Sequence, residues 1–326
     1  MFGGYRLGMT LRLTVNQTRW KDHVQSVARE FTGLVPVIKG NGYGLRRSNL
    51  TPIASQIASE VAFGTVYEVR DIPAGITPIV LTPTMSAPPN TMHSSTVLTV
   101  GRLEHVAALS HFGWTGNVVI KLQSSMLRYG TTQENLAALL AEAKNAHLLV
   151  VGFSIHPPLD GEMQMHVNDI QKWLDNLDPA LPMYISHVNA SALRQLRKSH
   201  PQWDFRIRLG TELWLGDKSM MQLSADVLDR HAVESTQTVG YRQQKVSGMG
   251  EIVLVGAGTA HGVTPLDDGR SPFHFQNQRI NLHEAPHMHT SMLFIARGRP
   301  LPSVGEWIDV QRPLTQVLAD VLQWDK

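Results

Sequence analysis

The chain has 326 residues, of which 42% are hydrophobic and 17% charged, and its formal net charge is only +2. These values are typical of a globular protein with one large and one smaller domain, and the short, scattered basic groups argue against a nucleic-acid partner. No apolar run reaches the roughly 20 residues of a membrane-spanning helix, and the first residues lack a secretory signal, so we expect a cytoplasmic protein without a membrane partner. The lack of cysteine excludes disulfides, thiolate metal sites and thiol nucleophiles.

Eight apolar runs of strand length recur through the first two thirds of the chain. They cover residues 35–38, 61–65, 79–81, 97–100, 118–122, 149–155, 183–185 and 205–207. Helical stretches separate them, such as residues 131–146, where leucines recur at helical spacing after a threonine that can cap the start. Strands that alternate with helices form parallel sheets, and about eight such units favour closure. We therefore predict an α/β fold, with a (β/α)8 barrel of the TIM type over residues 1–225.

The pattern of apolar residues in the sequence changes after about Asp226. Short β-branched runs separated by glycine follow, at residues 235–240, 245–247, 252–255, 292–295 and 307–310. This pattern predicts a smaller all-β domain over residues 226–326, with the first few residues of the chain packing against it.

Polar residues follow the predicted barrel strands at the point where each strand ends. Lys39 ends the first strand and precedes the run GNGYG, and four later strands end in Lys121, His156, His187 and Arg208. Because the carboxyl ends of barrel strands meet on one face, where barrel enzymes have their sites, we predict an active site there. A single strand-end lysine is usually a surface residue, but five such coincidences favour function. A desolvated lysine amine loses its proton more readily and can form a Schiff base with an aldehyde.

The run from Lys39 to Gly44 resembles the lysine motif of the alanine racemase family. Later segments agree with that family in order and spacing: Lys121 with Met126 and Arg128, Gly152-x-x-x-His156, the segment with His187, Asn189 and Ser191, and Arg208-x-Gly210. The resemblance implies a pyridoxal 5'-phosphate-dependent amino-acid racemase or epimerase with a small-molecule amino acid as substrate. It also implies a homodimer, in which the small domain of one subunit completes the site of the other.

The resemblance further implies a role for each matching residue. Lys39 would hold the cofactor as a Schiff base and act as a proton-transfer base. Tyr43 would hydrogen-bond the phosphate, His156 would lie against the pyridine ring and Arg128 would approach the ring hydroxyl. The remaining cofactor-binding residues implied are Asn189, Ser191, Arg208, Gly210 and Thr211. Lys121 matches a family lysine that is often carbamylated.

Arg208 would donate to the pyridine nitrogen, and an arginine at this position has a consequence for the mechanism. A guanidinium remains charged and cannot give up its proton, so the ring nitrogen stays unprotonated and the ring is a weaker electron sink. Such a ring suits the movement of one α-proton. The arginine therefore argues against the decarboxylases that share this fold.

The second proton-transfer residue departs from the family pattern. Thr259 stands where we place the family's tyrosine, and an alcohol does not ionise in the useful range. His261 lies two residues on, and in an extended segment it would point to the same side, so we predict His261 as the replacement base. A loop histidine with no role in catalysis is the alternative.

Other departures keep alternative functions open. His287 and His289 would share one face of a strand and could bind a divalent metal, but no third ligand is evident and we predict no metal site. The family's late tyrosine also has no counterpart in the last residues. The alternatives are a lyase or dehydratase acting on a D-amino acid, and a cofactor-binding homologue without turnover.

Overall fold

The computed structural model of this protein describes residues 10–326. The chain forms two compact units. The barrel unit comprises residues 23–42 and 46–216, and the sheet unit comprises the described residues before 23 together with residues 43–45 and 217–326. Among the described residues, no helix is both long and apolar enough to cross a lipid bilayer.

The helices and strands follow each other in the order that the sequence predicts for a barrel and a small β domain. The α-helices are α1 (Gln17–Glu30), α2 (Arg47–Ile57), α3 (Leu103–His111), α4 (Gln133–Asn145), α5 (Met163–Leu174), α6 (Ala190–Ser199) and α7 (Thr211–Leu215). The strands are β1 (Leu11–Asn16), β2 (Leu34–Ile38), β3 (Glu60–Phe63), β4 (Thr77–Val80), β5 (Leu98–Val100), β6 (Asn117–Lys121), β7 (Leu149–Ser154), β8 (Met183–Ile185), β9 (Phe205–Leu209), β10 (Met221–Val233), β11 (Thr238–Val239), β12 (Gln244–Lys245), β13 (Gly250–Val255), β14 (Phe273–Phe275), β15 (Gln278–Arg279), β16 (Asn281–Leu282), β17 (Ser291–Ala296), β18 (Trp307–Val310) and β19 (Val321–Asp325).

Strands β2 to β9 form an eight-stranded sheet in the order β4-β3-β2-β9-β8-β7-β6-β5, and every pair in it is parallel. The two end strands also meet. Val80 N donates to Val97 O at 2.9 Å and Val97 N donates to Pro78 O at 2.8 Å, so the sheet closes on itself. The predicted barrel of eight strands is confirmed. Its strands read as continuous apolar runs because a closed parallel sheet is buried on both faces.

The interior of the barrel is packed, and its amino end is closed by a polar cluster. Valine side chains and Tyr184 fill the centre. Tyr184 Oη donates to Glu60 Oε1 at 2.7 Å, and Arg206 Nη1 donates to the same oxygen at 2.6 Å. Glu60 begins β3 and Arg206 lies near the start of β9, so this cluster occupies the amino ends of the strands. The carboxyl ends are therefore the face where the barrel unit can form a site.

The sheet unit is built around the long strand β10. The strand order is β15-β14-β18-β10-β13-β17-β16, and β1 joins this sheet through antiparallel pairing with β10. The pairs are antiparallel except for β1 with β19. Of the predicted strand 235–240, only two residues lie in a strand, β11, which pairs with β12 in a separate hairpin. The small β domain is confirmed, whereas the boundary at residue 225, which falls inside β10, stays a prediction.

Candidate active site

Lys39 directly follows β2 and begins an unusual turn. Gly40, Gly42 and Tyr43 all have positive φ angles, of 60°, 68° and 57°. A Cβ atom added at Gly42 would lie 2.5 Å from the backbone of Arg46, so a side chain there would clash. The glycines that follow the lysine in sequence therefore serve a tight left-handed turn. Tyr43 is buried and belongs to the sheet unit, and its predicted role at a cofactor phosphate stays a prediction.

The environment of Lys39 favours a neutral amine. Desolvation lowers the pKa of Lys39, and the positive charges of Arg128 and Arg208 lower it further. Among the described residues that influence this lysine, Glu68 alone raises its pKa. The lysine is nevertheless partly open to solvent, so a small molecule can reach the amine. This combination suits an amine that reacts with a carbonyl group.

A second lysine lies at the carboxyl end of β6 and is far more buried. Lys121 is only 4% exposed. Burial lowers its pKa well below the ordinary value, and Arg208 and Arg128 reinforce the effect. The carboxyl ends of β2, β6 and β9 thus bring four basic side chains together: Lys39, Lys121, Arg128 and Arg208. Such a concentration of basic groups favours an anionic ligand.

Arg208 is buried in the wall of the barrel and its hydrogen bonding is incomplete. Nη1 donates to Ser154 Oγ at 2.8 Å, and Nη2 donates to Ile155 O at 2.5 Å. The remaining donor, Nε, is buried and has no hydrogen-bond partner within residues 10–326. Burial and the charge of Arg128 lower the pKa of Arg208 to about 10, so the group keeps its proton near neutral pH. Arg208 therefore offers one N–H group to an acceptor on a ligand.

Two histidines lie at the ends of neighbouring strands, His156 after β7 and His187 after β8. Their rings are 4.5 Å apart between centroids, and His156 Nδ1 lies 2.5 Å from Ser186 Oγ. His187 Nδ1 must carry a proton, because it donates to the carbonyl oxygens of Pro157 and Pro158 at 3.0 and 2.9 Å. Desolvation is the largest cause that lowers the pKa of both rings, and Arg208 contributes. Both imidazoles are therefore neutral at pH 7, and His156 can offer an uncharged flat surface.

The other predicted cofactor-binding residues lie where two helices begin. Asn189 caps α6, its side-chain oxygen accepting from Ala192 N at 2.8 Å, and Ser191 is exposed in the first turn of that helix. Gly210 precedes α7 and Thr211 is its exposed first residue. The side-chain oxygen of Asn189 is thus engaged in capping, whereas Ser191 and Thr211 are open to a ligand. Their contacts with a cofactor stay predictions.

In the sheet unit, the segment with Thr259 and His261 differs from our expectation. We expected an extended segment, but Thr259–His261 is a single 3-10 turn, in which residues two apart do not face the same side. His261 is buried, its Nδ1 accepts from Gly258 N at 3.1 Å, and its Nε2 lies 3.2 Å from Asp320 Oδ2. The expected extended geometry is therefore wrong. Both ring nitrogens of His261 are engaged in holding the turn, while Thr259 is exposed.

The two histidines considered for a metal also have other partners. His287 and His289 lie in the irregular segment before β17 and not on a strand. His287 Nε2 is 2.7 Å from Glu284 Oε1, and the ring of His289 packs edge-on against His261. Across residues 10–326, no group of three or more histidine, aspartate or glutamate side chains could hold a metal ion.

Glu68 is a residue of this site that the sequence did not single out. It lies just beyond the end of β3, and its carboxylate accepts hydrogen bonds from Gly40 N and Gly64 N. The sequence pattern at the strand ends consists of basic, histidine and asparagine side chains, and Glu68 lies outside it. A search for acidic residues within one turn of a strand end would have found it.

Comparison with known proteins places this architecture. The family model described as alanine racemase, N-terminal domain, matches residues 15–217. Solved structures of alanine racemases are similar over nearly the whole chain. The one from D-cycloserine-producing Streptomyces lavendulae has a TM-score of 0.73 at 17% identity, covering 98% of this chain and 97% of that one. The one from E. faecalis has a TM-score of 0.71 at 16% identity and covers both chains completely, 100% of each.

A third similar structure is the alanine racemase from Bartonella henselae, whose structure has covalently bound pyridoxal phosphate. Its TM-score is 0.71 at 14% identity, with 94% of this chain and 91% of that chain covered. A search of curated proteins gave no match. At these identities the structural similarity shows a shared fold, and the function has to be argued from the residues themselves.

Proposed function

Because this chain belongs to the alanine racemase family, we propose that it is a pyridoxal 5'-phosphate-dependent amino-acid racemase with Lys39 as its Schiff-base lysine. The observation that carries the proposal is the position of Lys39 at the carboxyl end of β2, with a lowered pKa and with Arg128 and Arg208 nearby. An amine in that state is a nucleophile for an aldehyde and afterwards a base. The substrate is a small-molecule amino acid.

The residues present fit the proposed cofactor. The buried Nε of Arg208 lacks an acceptor among the described residues, and the nitrogen of a pyridine ring is such an acceptor. Arg128 and Arg208 supply positive charge for a phosphorylated, phenolic ligand. Ser191 and Thr211, at the starts of α6 and α7, are the side chains that we propose for the phosphate. These residues would hold the ring, and Lys39 would bond to its aldehyde carbon.

Each residue then has a defined task in moving a proton. Pyridoxal 5'-phosphate supplies an electron sink for a carbanion at the α-carbon of the substrate. Lys39 takes the α-proton on one face as a neutral amine, a form that its lowered pKa favours. Arg208 keeps its own proton and limits how far the sink is developed, which suppresses other reactions of the carbanion. His156, which burial keeps uncharged, would lie against the ring.

The second face of the substrate supports a second candidate function. Thr259 has no acidic proton in the useful range, and both nitrogens of His261 are engaged with Gly258 and Asp320. With only Lys39 available as a base, the protein would exchange the α-proton on one face. This geometry favours, as the alternative, a lyase or dehydratase of D-amino acids or a homologue that binds the cofactor without turnover.

We further propose that the protein is a homodimer. Several exposed apolar side chains follow barrel strands on the carboxyl-end face, among them Tyr67 (53% exposed), Leu127 (72%) and Leu159 (77%). The sheet unit also exposes Tyr241 and Met288. Exposed apolar side chains are a feature of protein interfaces, and a second copy of this chain is the partner that the family implies.

Borohydride trapping and proton exchange test the proposed function. Protein incubated with pyridoxal 5'-phosphate and reduced with borohydride is digested, and the labelled peptide is identified by mass spectrometry. A panel of L- and D-amino acids is then incubated with the protein in deuterated water and followed by NMR. We expect the label on Lys39 and deuterium at the α-carbon of both enantiomers of one amino acid. A label on another lysine would overturn the cofactor site, and exchange of one enantiomer alone would favour the alternative.

A further inference from the structure

Glu68 joins the ends of two neighbouring barrel strands. It lies in the short turn Val66–Glu68 that follows β3. Its Oε1 accepts from Gly40 N at 3.1 Å, and its Oε2 accepts from Gly64 N at 2.8 Å. Gly40 is the residue after Lys39 and Gly64 is the residue after β3, so one half-buried carboxylate binds a backbone amide just beyond the end of each strand. Charge-assisted bonds of this kind are among the stronger hydrogen bonds in proteins.

Gly64 lies between the side chains of Glu68 and Lys39. A Cβ atom added at Gly64 would lie 2.8 Å from Glu68 Oε2 and 3.1 Å from Lys39 Cβ. The carboxylate and the lysine side chain therefore approach the same point from two strands. This closeness explains why Glu68 is the acidic group that acts on Lys39.

The backbone of Gly40, the residue after Lys39, is held at both its amide and its carbonyl group. Gly40 N donates to Glu68, and Gly40 O accepts from Arg47 Nη1. The carbonyl of Lys39 itself accepts from Gly42 N at 3.0 Å. With φ at 60°, Gly40 has a conformation that favours glycine, and these bonds keep the chain in it. The direction in which Lys39 leaves the barrel is thus fixed by Glu68 and Arg47.

The charge of Glu68 also offsets the basic surroundings of Lys39. Desolvation, Arg128 and Arg208 all lower the pKa of the lysine, and Glu68 raises it. A base transfers protons best when its pKa is close to the working pH, so a lysine whose pKa fell too far would accept the α-proton weakly. Glu68 keeps that decrease within limits.

We propose, resting on the function proposed above, that Glu68 is a positioning residue for Lys39, fixing the backbone that carries the lysine and supplying the negative charge that keeps its amine able to take a proton from the substrate. Glu68 acts through Lys39 and through Gly40, and it needs no contact with the substrate or cofactor.

The test measures Lys39 directly in the full chain. Cofactor is removed with hydroxylamine, lysines are dimethylated with 13C-formaldehyde, and the Lys39 signal, assigned by its absence in Lys39→Arg, is titrated by NMR. We expect Glu68→Gln to lower the pKa of Lys39 by on the order of one pH unit, the size of effect of removing one close opposite charge. Glu142→Gln, the same change on the exposed surface of α4, should leave the titration unchanged.

Glu68→Asp separates the charge from the geometry. Its carboxylate is one methylene shorter, so we expect a Lys39 pKa between those of wild type and Glu68→Gln, with faster hydrogen exchange at Gly40 and Gly64. This variant also decides the matter if Glu68→Gln does not fold. Wild-type pKa and wild-type exchange in the folded variants would overturn the proposal. Because no cofactor is present, this outcome is independent of whether borohydride trapping succeeds.

Discussion

Arg208 is charged and buried, yet part of its hydrogen-bonding capacity is unused. Two of its nitrogens donate to Ser154 and to the carbonyl of Ile155, and the third has no partner in the described part of the chain. A buried donor left unpaired costs roughly 1–3 kcal/mol, so such groups usually have a functional explanation. A ligand acceptor at Nε would remove that cost. At the scale of one residue, this unpaired atom supports the proposed pyridine nitrogen as its acceptor.

Replacing Arg208 by Glu tests that assignment. A glutamic acid in this buried place can hold a proton and share it with the ring nitrogen, which makes the ring a stronger electron sink. With cofactor and an amino acid present, we expect long-wavelength absorbance from a more delocalised carbanion and an increase in transamination products. Spectroscopy and product analysis measure both. Arg208→Lys keeps the positive charge and serves as the control, and unchanged spectra and products in Arg208→Glu would show that Arg208 does not contact the ring.

At the scale of elements, the turn Thr259–His261 shows how a side chain can hold a segment in place. His261 accepts from the backbone at Gly258 and pairs with Asp320, which in turn accepts from Leu11 N at 2.9 Å. Burial opposes ionisation of Asp320, but the hydrogen bonds that its carboxylate accepts lower its pKa overall. One imidazole therefore connects this turn to β1 and to the segment before β19.

Replacing His261 by Ala distinguishes this structural role from the predicted role as a base. We expect a loss of about 1–3 kcal/mol in the free energy of unfolding, since a buried amide at Gly258 and the carboxylate of Asp320 lose their partner. Urea unfolding measures the loss, and His231→Ala removes an exposed ring of β10 as the control. Proton exchange on the Lys39 face should persist. A decrease of about a hundred-fold or more in exchange from one enantiomer, with stability unchanged, would instead identify His261 as the base.

At the scale of the whole molecule, both ends of the chain contribute to one sheet. Strand β1, from the start of the described chain, pairs with β10 and with the final strand β19. The barrel is inserted between them in sequence. Its closed sheet has no free edge, so further association of the barrel unit has to use side chains on its faces. The exposed apolar residues of the carboxyl-end face are among the side chains that can serve this purpose.

The proposed dimer is tested by sedimentation equilibrium with paired surface variants. We expect the wild type to sediment at twice the mass of one chain, and Leu127→Asp combined with Leu159→Asp to dissociate, because charges would be buried in an apolar interface. Leu149→Asp is the matched control, since Leu149 is 61% exposed but begins β7 at the opposite end of the barrel. A monomeric wild type, or dissociation by the control alone, would contradict the proposal.

The sequence by itself determined the number and order of the barrel strands and the face on which the polar residues at their ends meet. All eight apolar runs form the barrel strands, with ends that agree within about two residues, because parallel strands buried on both faces need continuous apolar residues. The common face of the polar residues at the strand ends could likewise be predicted, because a barrel brings the carboxyl ends of its strands together whatever the details of packing. Lys39, Lys121 and Arg208 were found in this way.

Only the tertiary structure decided which partners these residues have. The hydrogen bond from Gly40 N to Glu68 and the contact between His261 and Asp320 join positions far apart in the chain. The burial of the unpaired nitrogen of Arg208 is likewise a result of the folded structure. Local patterns could not show them: the segment with His261 was expected to be extended, and a distant carboxylate is one of the partners that hold it as a turn. The periodic pattern of buried residues can be seen in the sequence. Hydrogen-bond partners, in contrast, depend on which elements the fold brings within about 3 Å of one another.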